Sequence, residues 1–238
     1  MKQESSQINI SDKDAWEEWS DELYGGDSRE LAVDLSITYC DRDGRLTKRN
    51  ITVEKYAITQ DGGLLAAYCH LRKARRPFRL SRIKAASDPR TGFNIINLGS
   101  WLDEQYEASP NGIRDIFIKN NDDALGALFF VAKADGAFRA KEKMVLQTFC
   151  ASQGLEDIAI QSLVVETVAG WAVPSRIAYG KDLRSLLVRS EDYRRSVLDH
   201  AKAMLATSKI IHDDAKHALE RMVRELKLTA PLNEPDSR

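Results

Sequence analysis

The hydrophobic period of this chain changes near residue 112, and that change directs it toward an α+β protein of two separately cored domains. From Leu31 to about residue 100, apolar and polar residues alternate, as they do when successive strand side chains face opposite sides of a sheet. Beyond residue 112, apolar residues recur at three and four, the spacing of a helix with one buried stripe. A chain of 238 residues is long enough for about two domains, each burying its own core. The expected organisation is an acidic N-terminal helix over 1–28, a β-barrel over 29–100, a linker over 101–114, an all-α domain over 115–230 and a frayed tail over 231–238.

Strands are expected at 31–39, 50–56, 63–69, 76–80 and 93–96. Asp41-Arg42-Asp43-Gly44 and Gln60-Asp61-Gly62-Gly63 supply hairpin turns, because Asp-Gly tolerates the positive φ such turns need. Five short strands in about seventy residues suggest a small barrel, since closure would remove the exposed edges of so short a sheet. Ala108-Ser109-Pro110-Asn111-Gly112 breaks both periods and reads as the linker. Helices are expected at 121–134, 139–153, 156–170, 175–188, 190–207 and 212–227, with Ser190 as an N-cap and Gly154 and Pro174 as breakers. A short repeat runs through them: 134–146 aligns without gaps on 207–219, but Ser208 and Ala215 replace Asp135 and Glu142.

Net charge is −1, yet it is unevenly spread. Residues 1–28 hold two lysines and eight acids, whereas 29–100 hold fourteen basic residues and seven acids. The acidic leader is either a solvated helix or a segment that folds back over the basic face as a mimic of an anionic ligand. Arg72, Arg75, Arg76, Arg79 and Arg82 fall within eleven residues and are interleaved with Phe78 and Leu80, which predicts a strand whose guanidinium groups share one surface. Guanidinium is always charged and forks onto phosphate or carboxylate, so that surface is suited to anions. A merely solubilising role is the competing reading.

Cys40, Cys69 and Cys150 show no metal-site spacing and point to reduced thiols rather than a disulfide framework. No signal-peptide run and no apolar stretch approaching the ~18 residues of a membrane span is present, so a cytoplasmic protein without a membrane span is expected. No Ser-His-Asp or Cys-His arrangement is suggested, and the chain reads as non-enzymatic. His212 and His217, five apart, cannot grip one ion from a single helix face, and His200 lacks a partner in sequence.

Two resemblances follow from these residues. Ile37-Thr38-Tyr39, Gly44 through Arg49, Leu64 through Arg72, and Arg75-Arg76-Pro77-Phe78-Arg79-Leu80-Ser81-Arg82-Ile83 together resemble a WYL domain over about 30–100, although Gly63-Leu64-Leu65 stands where the family has Trp-Tyr-Leu. The resemblance implies a Sm/SH3-like barrel that senses an anionic ligand, often a nucleic acid or nucleotide, in bacterial regulators and defence systems. It implies ligand contacts by Arg49, Arg72, Arg76, Arg79 and Arg82, with Tyr68 and His70 as companions. Family members usually add a DNA-reading helix-turn-helix, and none is visible here.

Ala134-Asp135-Gly136, followed by Glu142, resembles the TerB-like fold of tellurite-resistance proteins over about 120–230. That likeness implies a helical bundle linked to stress response and sometimes to divalent metals, with Asp135 and Glu142 as candidate ligands. The structural alternative has Asp135 stabilising the turn at Gly136 and Glu142 on an exposed face, because two carboxylates alone are a poor cage for a divalent cation. The leading expectation is a ligand-sensing regulator whose barrel binds nucleic acid or nucleotide and whose helical domain docks to a protein partner. The alternative is a stress-response adaptor or metal-linked scaffold acting through the helical domain.

Overall fold

The computed structural model describes residues 28–58, 62–134, 136–208 and 211–228; the acidic leader, Asp135 and the tail over 231–238 lie outside the described residues. The chain is α+β, and it divides into two compact units that meet between Gly112 and Ile113.

In the first unit, β1 (Arg29–Cys40) and β2 (Leu46–Ala57) form a long antiparallel hairpin. Its turn is held by Asp41, whose Oδ1 accepts from the amides of Asp43 (3.0 Å) and Arg45 (2.8 Å), while Gly44 takes φ +79°. β3 (Leu64–Cys69), β4 (Ala74–Arg79), β5 (Ile83–Ser87) and β6 (Asn94–Ile95) complete an antiparallel sheet in the order β4-β3-β2-β1-β5-β6.

The sheet is open, contrary to the closed barrel expected from strand count. One edge, β6, is only two residues long, too short to pair along β4. Cover for the apolar face comes from helix α1 (Leu98–Glu107), whose Leu102 and Tyr106 are buried in the same core as Leu35, Ile51, Val53, Leu65 and Phe78. A helix on one face thus buries apolar area that closure would otherwise have buried.

Residues 101–114, expected as a linker, are mostly helical, and the two units divide within them. Only Ala108 and Ser109 separate α1 from α2 (Pro110–Asn120), and the turn signals of the sequence are helix-start signals. Ser109 Oγ accepts from the Gly112 amide (3.1 Å) and donates to the Tyr106 carbonyl (2.6 Å), and Pro110 occupies the first helical position, where a missing N–H costs nothing.

The second unit contains α3 (Asp122–Ala132), α4 (Ala140–Ser152), α5 (Ile158–Ala169), α6 (Arg176–Leu186), α7 (Glu191–Ala206) and α8 (Asp213–Glu225). These lie within two residues of the expected helices. α3 is central, with every residue from Asp123 to Phe129 buried, and it packs against α5, α6, α7 and α8. Asp157, Ser175 and Ser190 cap α5, α6 and α7 by accepting amide hydrogen bonds from Ala159, Ala178 and Tyr193. Among the described residues, no helix is long and apolar enough to cross a membrane.

A carboxylate cluster sits at the start of α3. Arg189 donates from Nε to Asp123 Oδ2 (3.1 Å) and from Nη2 to Asp123 Oδ1 (3.2 Å) and the Asn120 carbonyl (2.8 Å). Asp182, on α6, lies against Gly126 of α3, where an added Cβ would come within 2.6 Å of its carboxylate. Burial, reinforced by the charges of Asp122 and Asp123, pushes the Asp182 carboxyl up to about 6. Its folded value lies above its ordinary one, so the stability it contributes is full below about pH 4 and is lost as pH rises through about 6. Asp182→Asn is therefore expected to raise stability at pH 7 by on the order of 1 kcal/mol, discounted for solvent screening, and to leave it nearly unchanged at pH 4. Thermal melts at both pH values check this; an equal gain at each would contradict it.

All three cysteines are free, with Cys69 and Cys150 buried and Cys40 half-buried. Burial pushes the Cys150 thiol up to about 12, far from the thiolate form that reacts. A thiol reagent such as Ellman's is expected to modify Cys40 in the folded protein and to reach Cys69 and Cys150 only after denaturation. Rapid modification of all three under native conditions would contradict this burial pattern.

Candidate anion-binding face

β4 is an edge strand paired only with β3, so its side chains flank a free row of backbone groups. In the pairing, Arg75 lies opposite Tyr68, Arg76 opposite Ala67, Phe78 opposite Leu65 and Arg79 opposite Leu64. Phe78 is buried with Leu65 and Ala67, so the two-residue alternation puts Arg76 on the core-facing side and Arg75 and Arg79 on the other. The arginines therefore do not all share one face of the sheet, as the sequence suggested. They ring the edge: Arg72 stands in the β3–β4 turn, Arg76 and Arg79 on β4, and Arg82 in the 3₁₀ turn Leu80–Arg82 that follows.

Their partners distinguish them. Arg75 donates from Nε to both carboxylate oxygens of Glu54, at 3.1 and 2.9 Å. Arg72, Arg76 and Arg79 are exposed, Arg82 is half-buried, and none of the four has a side-chain hydrogen bond or ion pair among the described residues. Elsewhere, Arg29, Arg90, Arg189 and Arg221 face Asp103, Asp88, Asp123 and Glu225.

The outer face of the sheet carries a polar row formed by register. Asp34 lies opposite Thr52, Thr52 opposite Tyr68, and Tyr68 opposite Arg75. Thr52 Oγ1 donates to Asp34 Oδ1 (2.6 Å), so at the same oxygen the contact with His70 Nε2 (2.9 Å) has His70 as donor. Tyr68 and His70 meet edge to face at 5.2 Å. These two expected companions are thus adjacent to each other, and Tyr68 stands opposite Arg75, which alone of the run has a carboxylate partner among the described residues. Asp34 and Thr52 were missed in the sequence; their signal is the Val33-Asp34-Leu35 alternation, which puts a carboxylate on the outer face.

Arg49 belongs to a different neighbourhood. Its guanidinium lies over the rings of Tyr39 (5.3 Å) and Phe78 (5.8 Å), and its Nε donates to Thr47 Oγ1 (3.0 Å). With Lys48, Asn50, Ser36 and Asn94 it lines a shallow basin of about 370 Å³ across β2, β1, β5 and β6. A basin of that size could take a phosphate and part of a sugar, whereas the β4 edge offers a longer track of exposed arginines.

The candidate metal ligands fare differently. Glu142 is not on an exposed face, as the structural alternative had it, but buried at 3% exposure. Its Oε2 accepts the Arg139 amide (2.6 Å), closing the first turn of α4, and at this position the repeat's second copy has buried Ala215. Asp135 lies outside the described residues. No group of three or more His, Cys, Asp or Glu side chains that could hold a metal ion converges among the described residues. His200 does have a partner: its Nδ1 lies 2.7 Å from the Ser196 carbonyl and its ring packs edge-on against Phe149.

Comparison with family models, curated proteins and solved structures finds no match to this chain.

Proposed function

We propose that this chain is a non-enzymatic bacterial, cytoplasmic ligand-sensing protein. Its WYL-like sheet unit binds a nucleic acid or nucleotide along the β4 edge, and its TerB-like helical unit docks to a protein partner. The observation that carries this reading is the set of unpartnered arginines, Arg72, Arg76, Arg79 and Arg82, within one hairpin and the turn after it. Charges left in water without a carboxylate are available to phosphate, and a spread along an edge suits a polymer better than a point ligand. Tyr68, on the strand paired with β4, and His70, just before Arg72 in the chain, offer ring surfaces for a base. The closed Sm/SH3-like barrel of the resembling family is not required, because the edge hairpin itself holds the arginines.

The experiment is the triple variant Arg72→Gln, Arg79→Gln, Arg82→Gln. None of the three has a side-chain partner among the described residues, so the fold should persist, while affinity for a short oligonucleotide at low salt is expected to fall at least ~100-fold and its salt dependence to flatten. Unchanged affinity would remove the assignment. The metal-linked alternative finds no support in the placement of Glu142.

A further inference from the structure

The helical unit contains a cleft that the proposed nucleic-acid face does not use. It is about 510 Å³, within the range of small-molecule sites, and is lined by residues of α3, α6 and α8 and by Pro174 just before α6. One part is apolar: half-buried Phe130 stacks on buried Tyr179, rings 4.2 Å apart and 14° from parallel, beside Ala134, Pro174 and Ala218. The other part is polar: Arg176, Arg221 and His217 stand with one acid, Asp214.

The walls are preorganised. Tyr179 Oη donates to the Ala218 carbonyl (2.8 Å), tying α6 to α8. Arg221 is held from three sides: Nε donates to Glu225 (2.6 Å), Nη1 donates to the Arg176 carbonyl (3.1 Å), and the guanidinium lies 5.6 Å from the Tyr179 ring centre. Gly180 makes this possible, since a Cβ there would stand 2.2 Å from Arg221 Nη2. Such a fixed guanidinium loses little entropy on binding. Arg176 is different, with a side chain 82% exposed and an ion pair to Asp214 (3.2 Å) that is itself 68% exposed. An exposed pair of this kind is weak, so an incoming anion can displace Asp214 at small cost.

We propose that this cleft binds a small organic anion carrying a planar ring, of the class of aromatic carboxylates and ring-bearing phosphate monoesters. The ring packs on Phe130 and the aliphatic wall, and the anion is held by Arg176 beside the fixed Arg221. The two halves of the lining favour both features: an inorganic anion leaves the apolar wall wet, and a neutral ring forgoes the charge-assisted bonds that Arg176, held only by an exposed pair with Asp214, and the spare guanidinium donors of Arg221 can offer.

Calorimetry on the full chain with phenyl phosphate and benzoate tests this, with inorganic phosphate and benzyl alcohol as controls. At least one aromatic anion is expected to bind saturably, about tenfold or more tighter than either control. Arg176→Gln should weaken it by about tenfold, and Asp214→Asn should tighten it several-fold by freeing Arg176. Arg221→Gln should abolish binding; circular dichroism checks its fold, and if it unfolds, Arg176→Gln and Asp214→Asn decide. The triple arginine variant of the sheet unit should bind phenyl phosphate as the wild type does, which separates this site from the β4 edge. No saturable binding of either aromatic anion up to about 10 mM, equal binding of inorganic phosphate, or wild-type affinity in both Arg176→Gln and Asp214→Asn would each overturn the proposal.

Discussion

Phe149→Ala is expected to destabilise the helical unit by about 3–5 kcal/mol, a large share of the roughly 5–15 kcal/mol typical of a whole domain. Phe149 is fully buried on α4 and meets Tyr193 (6.3 Å) and His200 (5.4 Å), both on α7, edge-on. Truncation removes the ring's transfer energy and leaves a cavity that Leu146, one turn before it, and Cys150, the next residue, cannot fill without moving the helix. Met144, on the same helix but 62% exposed, provides the control: Met144→Ala should change stability by less than about 0.5 kcal/mol. Urea denaturation followed by far-UV circular dichroism measures both, and equal midpoints for the two variants would contradict the described core.

Arg189→Ala carries the second large effect, about 2–3 kcal/mol of destabilisation, because it strands Asp123, which is 5% exposed, beside Asp122 and Asp182. The lower part of the range for a broken buried pair applies because the Arg189 side chain is itself 35% exposed. Much of the cost is the unpaired carboxylate rather than the lost bond, so adding Asp123→Asn to Arg189→Ala should recover more than half of it. The double-variant melt decides this. Further loss in the double variant would contradict this account, since Asn keeps an Oδ1 to accept the Ala124 amide (2.9 Å) and loses the charge.

Periodicity made the helical unit legible, since buried stripes repeat over long segments and Asp157, Ser175 and Ser190 mark three starts. The sheet was legible in its hairpins and less so at its end. β5 was missed because Ile83-Lys84-Ala85-Ala86-Ser87 buries only Ala86 and carries one β-branched residue. Openness was hidden because α1 supplies cover from residues whose Ser-Pro-Asn-Gly boundary read as a linker, although the same residues cap and start α2. At the candidate site, residue types were visible but partnership was not. Arg75 and Arg79 are alike in the sequence, and the pairing of β2, β3 and β4 brings Glu54 to Arg75 and leaves Arg79 without a carboxylate among the described residues. Likewise Glu142 looked like a free carboxylate until the fold buried it in the first turn of α4.

The most direct measurement is fluorescence anisotropy of the wild-type protein with short single-stranded DNA and RNA across a salt series. If Arg72, Arg76, Arg79 and Arg82 meet phosphates, binding should be tight at low salt, with log affinity falling linearly in log salt at a slope of roughly −3, about 0.7 for each single-strand phosphate contact. Absence of binding at low salt, or binding whose affinity does not change with salt, would contradict a nucleic-acid role for the β4 edge.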